Sequence, residues 1–330
     1  MISASIAVVG AGLAGIACAS ALRTAGVECR MFEAHRSAGG RLATRRFALA
    51  SFDHGAQYLT AGEARFRAVL ESARRAGVAE PWRPEWQGET SRDLWVGVPG
   101  MSWLPRFLAQ HLDIEFGARI TRLDRGRRGW TLLDERGAAH TDFSAVALAL
   151  PAPAAVALVS ARTPLAARVK TVSMAPCWAV LAAFDRPLVS APDAGFSDDP
   201  VLAWFARDGS KPGRHAANTW VLHATAEWSR VAFDRPAHVV ERALLDRLSE
   251  RIGGALPAPV LSDVYRWRHA RVETPLGESF LFDAEAGLGF CGDWCLGARA
   301  EAAWLSGYAL GGALAAARPS ARSGRLRGSR

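Results

Sequence analysis

The chain has 330 residues, half of them apolar, a length and composition that suit a globular protein of two domains with a large buried core. Its formal charge of +8 is concentrated at one end: Arg318, Arg322, Arg325, Arg327 and Arg330 fall in the last thirteen residues with no acid among them, and removing those five leaves +3. So mild a balance suits a phosphate-bearing ligand better than a nucleic-acid groove, and the longest apolar run, Ala145 to Val159, is too short and too interrupted by Pro151 and Pro153 to cross a membrane.

The chain opens on a nucleotide-binding pattern. An apolar strand, Ser5 to Val9, runs into Gly10-Ala11-Gly12-Leu13-Ala14-Gly15, and the Ala-, Leu- and Ile-rich stretch from Leu13 to Thr24 has no proline, as the helix that must follow requires. A pyrophosphate takes its hydrogen bonds from amides at a helix N-terminus. A Cβ at Gly12 would hold it off, Gly10 permits the tight turn, and Gly15 lets the helix lie close on its strand. Val27 to Phe32 reads as the second parallel strand. Glu33, 18 residues beyond Gly15, is placed to accept from both ribose hydroxyls of an adenosine and to repel a 2′-phosphate. Alone, this pattern indicates an adenine dinucleotide and leaves NAD and FAD open. Ala17-Cys18-Ala19 resembles a secretory cleavage site, but no basic stretch precedes the apolar run, so a leader is not expected.

A second glycine turn, Arg36 to Arg41, and the run Asp53-His54-Gly55-Ala56-Gln57-Tyr58 come next, followed by a helix over Arg65–Arg75 and a Trp- and Pro-rich loop over Pro81–Trp95. The pattern then predicts a helix over Ser102–His111, short strands at Ile114–Phe116, Ile120–Asp124 and Trp130–Asp134, and a fully buried parallel strand at Ala145–Leu150. From Pro164 to Pro275 the character changes. Trp178–Phe184, Val201–Ala206, Thr219–Ala224 and Val260–Trp267 read as a mostly antiparallel sheet, and Val239–Ile252 as a helix with Val240, Leu244 and Leu248 on one face. A buried strand ending in Gly292-Asp293 and an Ala-rich helix over Ala300–Ala317 complete the pattern, and residues 319–330 read as a disordered basic tail. The expected fold is α/β: a Rossmann-type domain assembled from the discontinuous segments 1–60, 97–160 and 276–318, with 61–96 and 161–275 forming an α+β substrate domain. Five cysteines at irregular spacing make neither a disulfide framework nor a metal site and read as reduced thiols of a cytoplasmic protein.

The separated segments argue for FAD over NAD. A nicotinamide domain finishes its phosphate contacts in the first βαβ unit, whereas here Gly39-Gly40-Arg41 adds a guanidinium beside the pyrophosphate and a distant strand end supplies Asp293, which can accept from a ribityl hydroxyl. The helix after Arg299 can stabilise negative charge on a reduced flavin through its N-terminus. Taken singly, Arg41 reads equally as a surface ion pair and Asp293 as a helix cap.

These motifs together resemble the flavin amine oxidase and desaturase superfamily. Within it, Asp53 to Thr60, Trp95 to Met101, Thr219 to Thr225 and Cys291-Gly292-Asp293-Trp294-Cys295 are similar to the bacterial renalase branch, over about Ile6 to Leu314. The resemblance implies a p-hydroxybenzoate-hydroxylase-like architecture and a non-covalent FAD enzyme. Its small-molecule substrates would be dinucleotides, dihydro-NAD(P) isomers reduced at ring positions 2 or 6, with dioxygen reoxidising the flavin to give hydrogen peroxide. It places Leu13, Glu33, Arg41, Ile120, Asp293 and Glu301 on FAD, the last through backbone, Gln57 and Tyr58 at the flavin edge, and Tyr58, Thr60 and Arg299 on the substrate. His223, alternating with Trp220 and Leu222, reads as a satisfied sheet histidine, and Trp178, Trp204 and Trp267 as core residues that could also wall a pocket. Two departures stand out. Amine-oxidising relatives place a lysine near the flavin, and only Lys170 and Lys211 are available here; His54 replaces an apolar residue of the family pattern. An amine oxidase or desaturase, and a non-catalytic flavin-binding redox sensor, remain as alternative readings.

Overall fold

In the computed structural model, which describes residues 5–86, 94–159, 163–188, 191–215 and 218–317, the predicted basic tail lies outside the described residues, as does part of the Trp- and Pro-rich segment. The first strand, Ile6–Val9, is wholly buried and pairs in parallel with Cys29–Glu33 on one side and Ala145–Leu148 on the other. Leu288–Phe290 joins beyond Ala145–Leu148, and Ile114–Phe116 beyond Cys29–Glu33, both in parallel; only the edge strand Leu281–Asp283 runs antiparallel. The unbroken apolar runs in the middle of this sheet follow from having both faces covered.

One face is covered by the fingerprint helix, Leu13–Thr24, and by the C-terminal helix, Ala300–Ala316, which cross closely. A Cβ on Gly307 would overlap the carbonyl oxygen of Ala14, and one on Gly311 would lie 2.5 Å from the carbonyl oxygen of Cys18, so this four-residue glycine spacing sets the approach. A three-stranded antiparallel ribbon, Ile120–Gly126, Gly129–Asp134 and Ala139–Phe143, packs on the other face through Phe32 and Phe143.

The second layer is a five-stranded antiparallel sheet in the order Ala194–Phe196, Leu202–Arg207, Thr219–Ala224, Ser173–Ala183, Leu261–Thr274. Its last strand runs seven residues past the expected end at Trp267. The register shifts between Trp267 and Arg271, and the strand goes on past Trp267 with Arg268, Arg271 and Glu273 exposed, charged side chains that suit an edge strand. One face of this sheet carries Phe205 and Trp220 against Val240, Leu244 and Leu248 of the helix Ala237–Ile252; burying each leucine there contributes roughly 1.5–3 kcal/mol. Trp178 belongs to this core too, its indole N–H donating to the carbonyl of Ala232, which removes it from the candidate pocket walls.

Two local expectations are corrected. The segment expected as a loop over Pro81–Trp95 takes part in a two-stranded ribbon, Ala79–Trp82 with Leu94–Gly97; it tolerates Pro81 because Trp95 opposite exchanges its backbone hydrogen bonds with Leu59 and asks no donor of the proline. The helix expected over Ser102–His111 spans only Trp103–Leu108, because the chain turns at Ala109 to deliver Ile114–Phe116 to the main sheet. Among the described residues, no helix is long and apolar enough to cross a membrane.

Candidate functional site

Backbone packing builds the site. Gly10 has φ +100°, and a Cβ on Gly15 would collide with its carbonyl oxygen, so the glycine loop is closed against its own helix. At Gly12, by contrast, an added Cβ would meet nothing within 4 Å, and no side chain caps the helix that starts at Leu13. That open, uncapped N-terminus fits a diphosphate. The second glycine turn lies on the first: the Gly39 amide donates to the Ala11 carbonyl at 2.9 Å, and Gly40, at φ +55°, packs on the Cα of Gly12.

Glu33 is buried at the end of its strand. Its carboxylate accepts from the Ala11 amide at 2.8 Å and from the amide and Nδ1 of His35 at 2.9 and 2.7 Å. Burial pushes this carboxyl up, but the hydrogen bonds from His35 and Ala11 outweigh it and hold the group below its usual range. A carboxylate has about four acceptor positions, and these three donors leave about one for a ribose hydroxyl; a second hydroxyl would take the place of the largely exposed His35 ring. Ile120 is buried just beyond the turn in which the Ala118 amide bonds the Glu33 carbonyl.

Arg41 and Asp293 meet each other. Nη1 and Nη2 of Arg41 lie 2.8 and 2.5 Å from the two oxygens of Asp293, and Nη1 also donates to the carbonyl of Ala270. This bidentate pair spans 252 residues and draws the end of the main sheet and the long edge strand of the second sheet to the glycine turns. The expectation of a guanidinium on the pyrophosphate with a separate carboxylate on the ribityl chain is thus refined: both groups are positioned by one ion pair. Asp293 itself stands at the start of the short helix Asp293–Leu296 rather than on the strand, which ends at Phe290.

From Arg41 the contacts pass to the 53–58 run. The Ala56 amide donates to the Arg41 carbonyl at 2.9 Å, and a side chain on Gly55 would overlap that oxygen. The run lies across the face of the second sheet that looks toward the nucleotide-binding layer. In register across that face stand Phe196, Trp204, His223, Ala179 and Tyr265, one from each strand. The carbonyl of His54 receives Trp267 Nε1 at 2.9 Å and His223 Nε2 at 3.3 Å, the His54 ring stacks on Trp267, and Tyr58 packs its ring against Trp204. Because a carbonyl only accepts, His223 carries its proton on Nε2 and has the satisfied role expected for it.

Burial drives both His54 and His223 down to about 4. A folded-state value below the ordinary 6.5 means that the unfolded chain binds the proton first, so this stability is complete above about pH 6.5 and is lost as the pH falls toward 4. At about 1.4 kcal/mol per unit, each ring is worth a few kcal/mol over that window. The midpoint of thermal unfolding is therefore expected to fall as the pH is lowered from 6.5 to 5, before the carboxylates protonate. His54→Leu, which restores an apolar side chain between Tyr265 and Trp267, should flatten that slope; an unchanged slope would count against a neutral His54.

Beyond Tyr58 the chain runs through half-buried Thr60 to Glu63, whose amide donates to Glu301 Oε1 at 2.6 Å. Glu301 is therefore anchored through its side chain, apart from the largely backbone contact with FAD expected of it. Arg299 precedes the C-terminal helix with its side chain largely exposed, 3.5 Å from Glu301. Tyr58, Thr60 and Arg299 thus lie along one continuous path.

The amide of Gln57 is committed inward. Nε2 donates to the carbonyls of Asp53 and Gly55, and Oε1 accepts from Lys211 Nζ at 3.2 Å. Lys211 belongs to a buried cluster with Asp53, Asp208 and Arg214 that was not anticipated. A local signal existed in Asp208 and Lys211 three residues apart, but their partner Asp53 is 155 residues from Asp208.

Comparison with known proteins agrees with this layout. Residues 8–73 match the NAD(P)-binding Rossmann-like domain model, and residues 82–310, well over half of the chain, match the flavin containing amine oxidoreductase model. A protein from Exiguobacterium sp. 255-15 assigned as a protoporphyrinogen oxidase superposes with a TM-score of 0.77 at 12% identity, covering 96% of this chain and 100% of its own. Cyclohexylamine oxidase from Brevibacterium oxydans IH-35A gives 0.75 at 13%, covering 95% and 99%, and putrescine oxidase bound to putrescine gives 0.71 at 14%, covering 95% and 98%. At such identities the solved structures speak to the fold alone. The match over residues 82–310 decides the assignment: the chain belongs to the flavin containing amine oxidoreductase family, whose members are FAD-dependent oxidoreductases.

Proposed function

We propose that this chain is a renalase-like oxidase of dihydro-NAD(P) isomers reduced at ring position 2 or 6, using non-covalent FAD. The segments 1–60, 97–160 and 276–318 hold the cofactor, and 61–96 and 161–275 the substrate. When bound, FAD would supply the acceptor for the hydride of the dihydropyridine and, with dioxygen and one proton from water, its return to the oxidised state, so that NAD(P)+ and hydrogen peroxide are released. The chain's own residues bind and orient. Glu33 receives the ribose hydroxyls, with Leu13 and Ile120 beside the adenosine; Gly12 and Gly40 leave the diphosphate room; Asp293, fixed by Arg41, faces the ribityl chain. Tyr58 and Thr60 line the ring slot, and exposed Arg299 meets the anionic part of the substrate.

The observation that carries this reading is the state of the lysines. Lys211 is wholly buried and spent on Asp208 and Gln57, and Lys170 is exposed at the end of the short helix Leu165–Val169. Lys211 is thus not free to serve as the lysine that amine-oxidising relatives place near the flavin, and an activated dihydropyridine needs no base to lose hydride. Mixing the FAD-loaded protein anaerobically with 2- and 6-dihydro-NAD, with ordinary NADH, and with cyclohexylamine and putrescine tests it. Only the isomers should bleach the flavin, and air should then restore the colour with release of peroxide. Bleaching by an amine but by neither isomer would overturn the proposal in favour of amine oxidation; no bleaching by any of them would favour a redox sensor.

The cofactor assignment has its own test. Glu33→Ala removes the ribose acceptor and the anchor of the Ala11 amide together, and charge-assisted hydrogen bonds are worth about 1.5–3 kcal/mol each. FAD retention after gel filtration should fall at least about tenfold, while Glu33→Gln, which keeps an acceptor, should fall less. Full retention by Glu33→Ala would remove Glu33 from the site.

A further inference from the structure

The cluster beneath the 53–58 run takes no part in the chemistry proposed above. Lys211 Nζ lies 2.6 Å from Asp208 Oδ1, 3.4 Å from Asp53 Oδ2 and 3.2 Å from Gln57 Oε1, with its side chain fully shielded. Arg214, also buried, pairs with Asp53 and donates to the Gly97 carbonyl at 2.9 Å. Asp53 Oδ1 further accepts from the Met101 amide and the Thr44 hydroxyl, each at 2.8 Å. Two carboxylates face two cations, so the formal charges cancel. Desolvation of such a cluster offsets most of its attraction, and apolar residues of equal volume would hold the fold as well. Stability alone does not account for it.

What the cluster fixes is Gln57. A primary amide can turn over and exchange its oxygen for its nitrogen. With Oε1 held by a buried ammonium that only donates, Gln57 has a single orientation, and Nε2 must stay on the carbonyls of Asp53 and Gly55. Those two carbonyls close the turn that packs on Arg41 at one end and delivers Tyr58 to Trp204 at the other. We infer that Lys211 is a positioning residue for the flavin edge: acting through Gln57, it locks the Asp53–Tyr58 turn and so sets the backbone dipoles and the Tyr58 ring that border the isoalloxazine. This rests on the placement of that turn beside FAD proposed above, and it is independent of which substrate reduces the flavin.

The test uses the FAD-loaded full chain and three variants, Gln57→Leu, Lys211→Met and the double substitution. Two quantities that need no substrate are read: the visible spectrum of the bound flavin, and its midpoint potential by dye-linked reductive titration. Each single variant should shift both in the same direction, the reduction equilibrium by roughly fivefold, the worth of one hydrogen bond. The double variant should shift no further than the larger single, because both cut one link. Gln57→Leu leaves the four charges paired and so tests the link even where Lys211→Met folds poorly. An unchanged spectrum and potential in Gln57→Leu, or additive shifts in the double variant, would assign the cluster a structural role only. Failure of the dihydronicotinamide assignment would leave these readings intact, so the two outcomes separate.

Discussion

Lys211→Met is expected to lower the free energy of unfolding by about 3–5 kcal/mol, the loss typical when one partner is taken from a buried ionic group. Methionine fills much the same volume, so the loss is electrostatic: Asp53 and Asp208 would be left with Arg214 alone. The two aspartates already diverge. Burial raises both, but at Asp53 the charges of Lys211 and Arg214 outweigh it and keep the group below its usual range. At Asp208, burial with Asp53 close by wins, and the carboxyl is raised. Without the ammonium, Asp208 is the group that takes up a proton. The deficit of the variant relative to the parent should therefore shrink as the pH falls, and adding Asp208→Asn should restore most of the stability by leaving one aspartate against one arginine. Urea unfolding of the three proteins at pH 7.5 and 5.5 measures this. A deficit below about 1 kcal/mol, or a double variant no better than the single, would mean that the cluster is not the charge-balanced unit described above.

Gly307→Ala is the second large effect. A single methyl group there would overlap the carbonyl oxygen of Ala14, a backbone atom that cannot rotate away, so the two helices must separate. Overpacking a rigid contact costs typically 1–3 kcal/mol, and a backbone-to-backbone contact belongs at or above the upper end, about 3 kcal/mol or more. Ala14 sits in the first turn of the fingerprint helix, so the same displacement moves the amides that receive the diphosphate, and FAD retention should fall together with stability. Gly312→Ala is the control. It lies on the same helix, an added Cβ meets nothing, and the change should stabilise by up to about 1 kcal/mol through helix propensity. Equal behaviour of the two variants in thermal unfolding and flavin content would refute the helix-contact argument.

The parts of the fold that depend on local pattern were legible in the sequence. The strand, glycine loop, helix and Glu33 follow from spacing alone, and Thr219–Ala224 was read to its end residues, because its apolar run is bounded by polar residues on both sides. What was illegible depends on register and distance. Trp178 and Trp204 both read as sheet tryptophans; only the pairing of their strands puts Trp204 against Tyr58 and Trp178 behind the sheet. Arg41 and Asp293 were each singled out, but nothing local says that they bind each other across 252 residues. Lys211 reads in the sequence as one of two lysines available near a flavin, and nothing in the polar, glycine-containing sequence around it signals its burial against Asp53.

The order of strands in the main sheet also bears on how this protein is made. Ile6–Val9 is flanked on one side by Ala145–Leu148, made well over a hundred residues later, and that strand in turn by Leu288–Phe290. Loops this long close slowly, and the sheet cannot be completed until Leu288–Phe290 has been synthesised. At about 5–20 residues per second, the N-terminal strands wait many seconds with one edge unpaired, which exposes them to chaperones and to neighbouring nascent chains. A fragment ending before residue 288 would carry the whole glycine fingerprint and still lack both the strand that pairs with Ala145–Leu148 and the helix Ala300–Ala316 that packs on Leu13–Thr24.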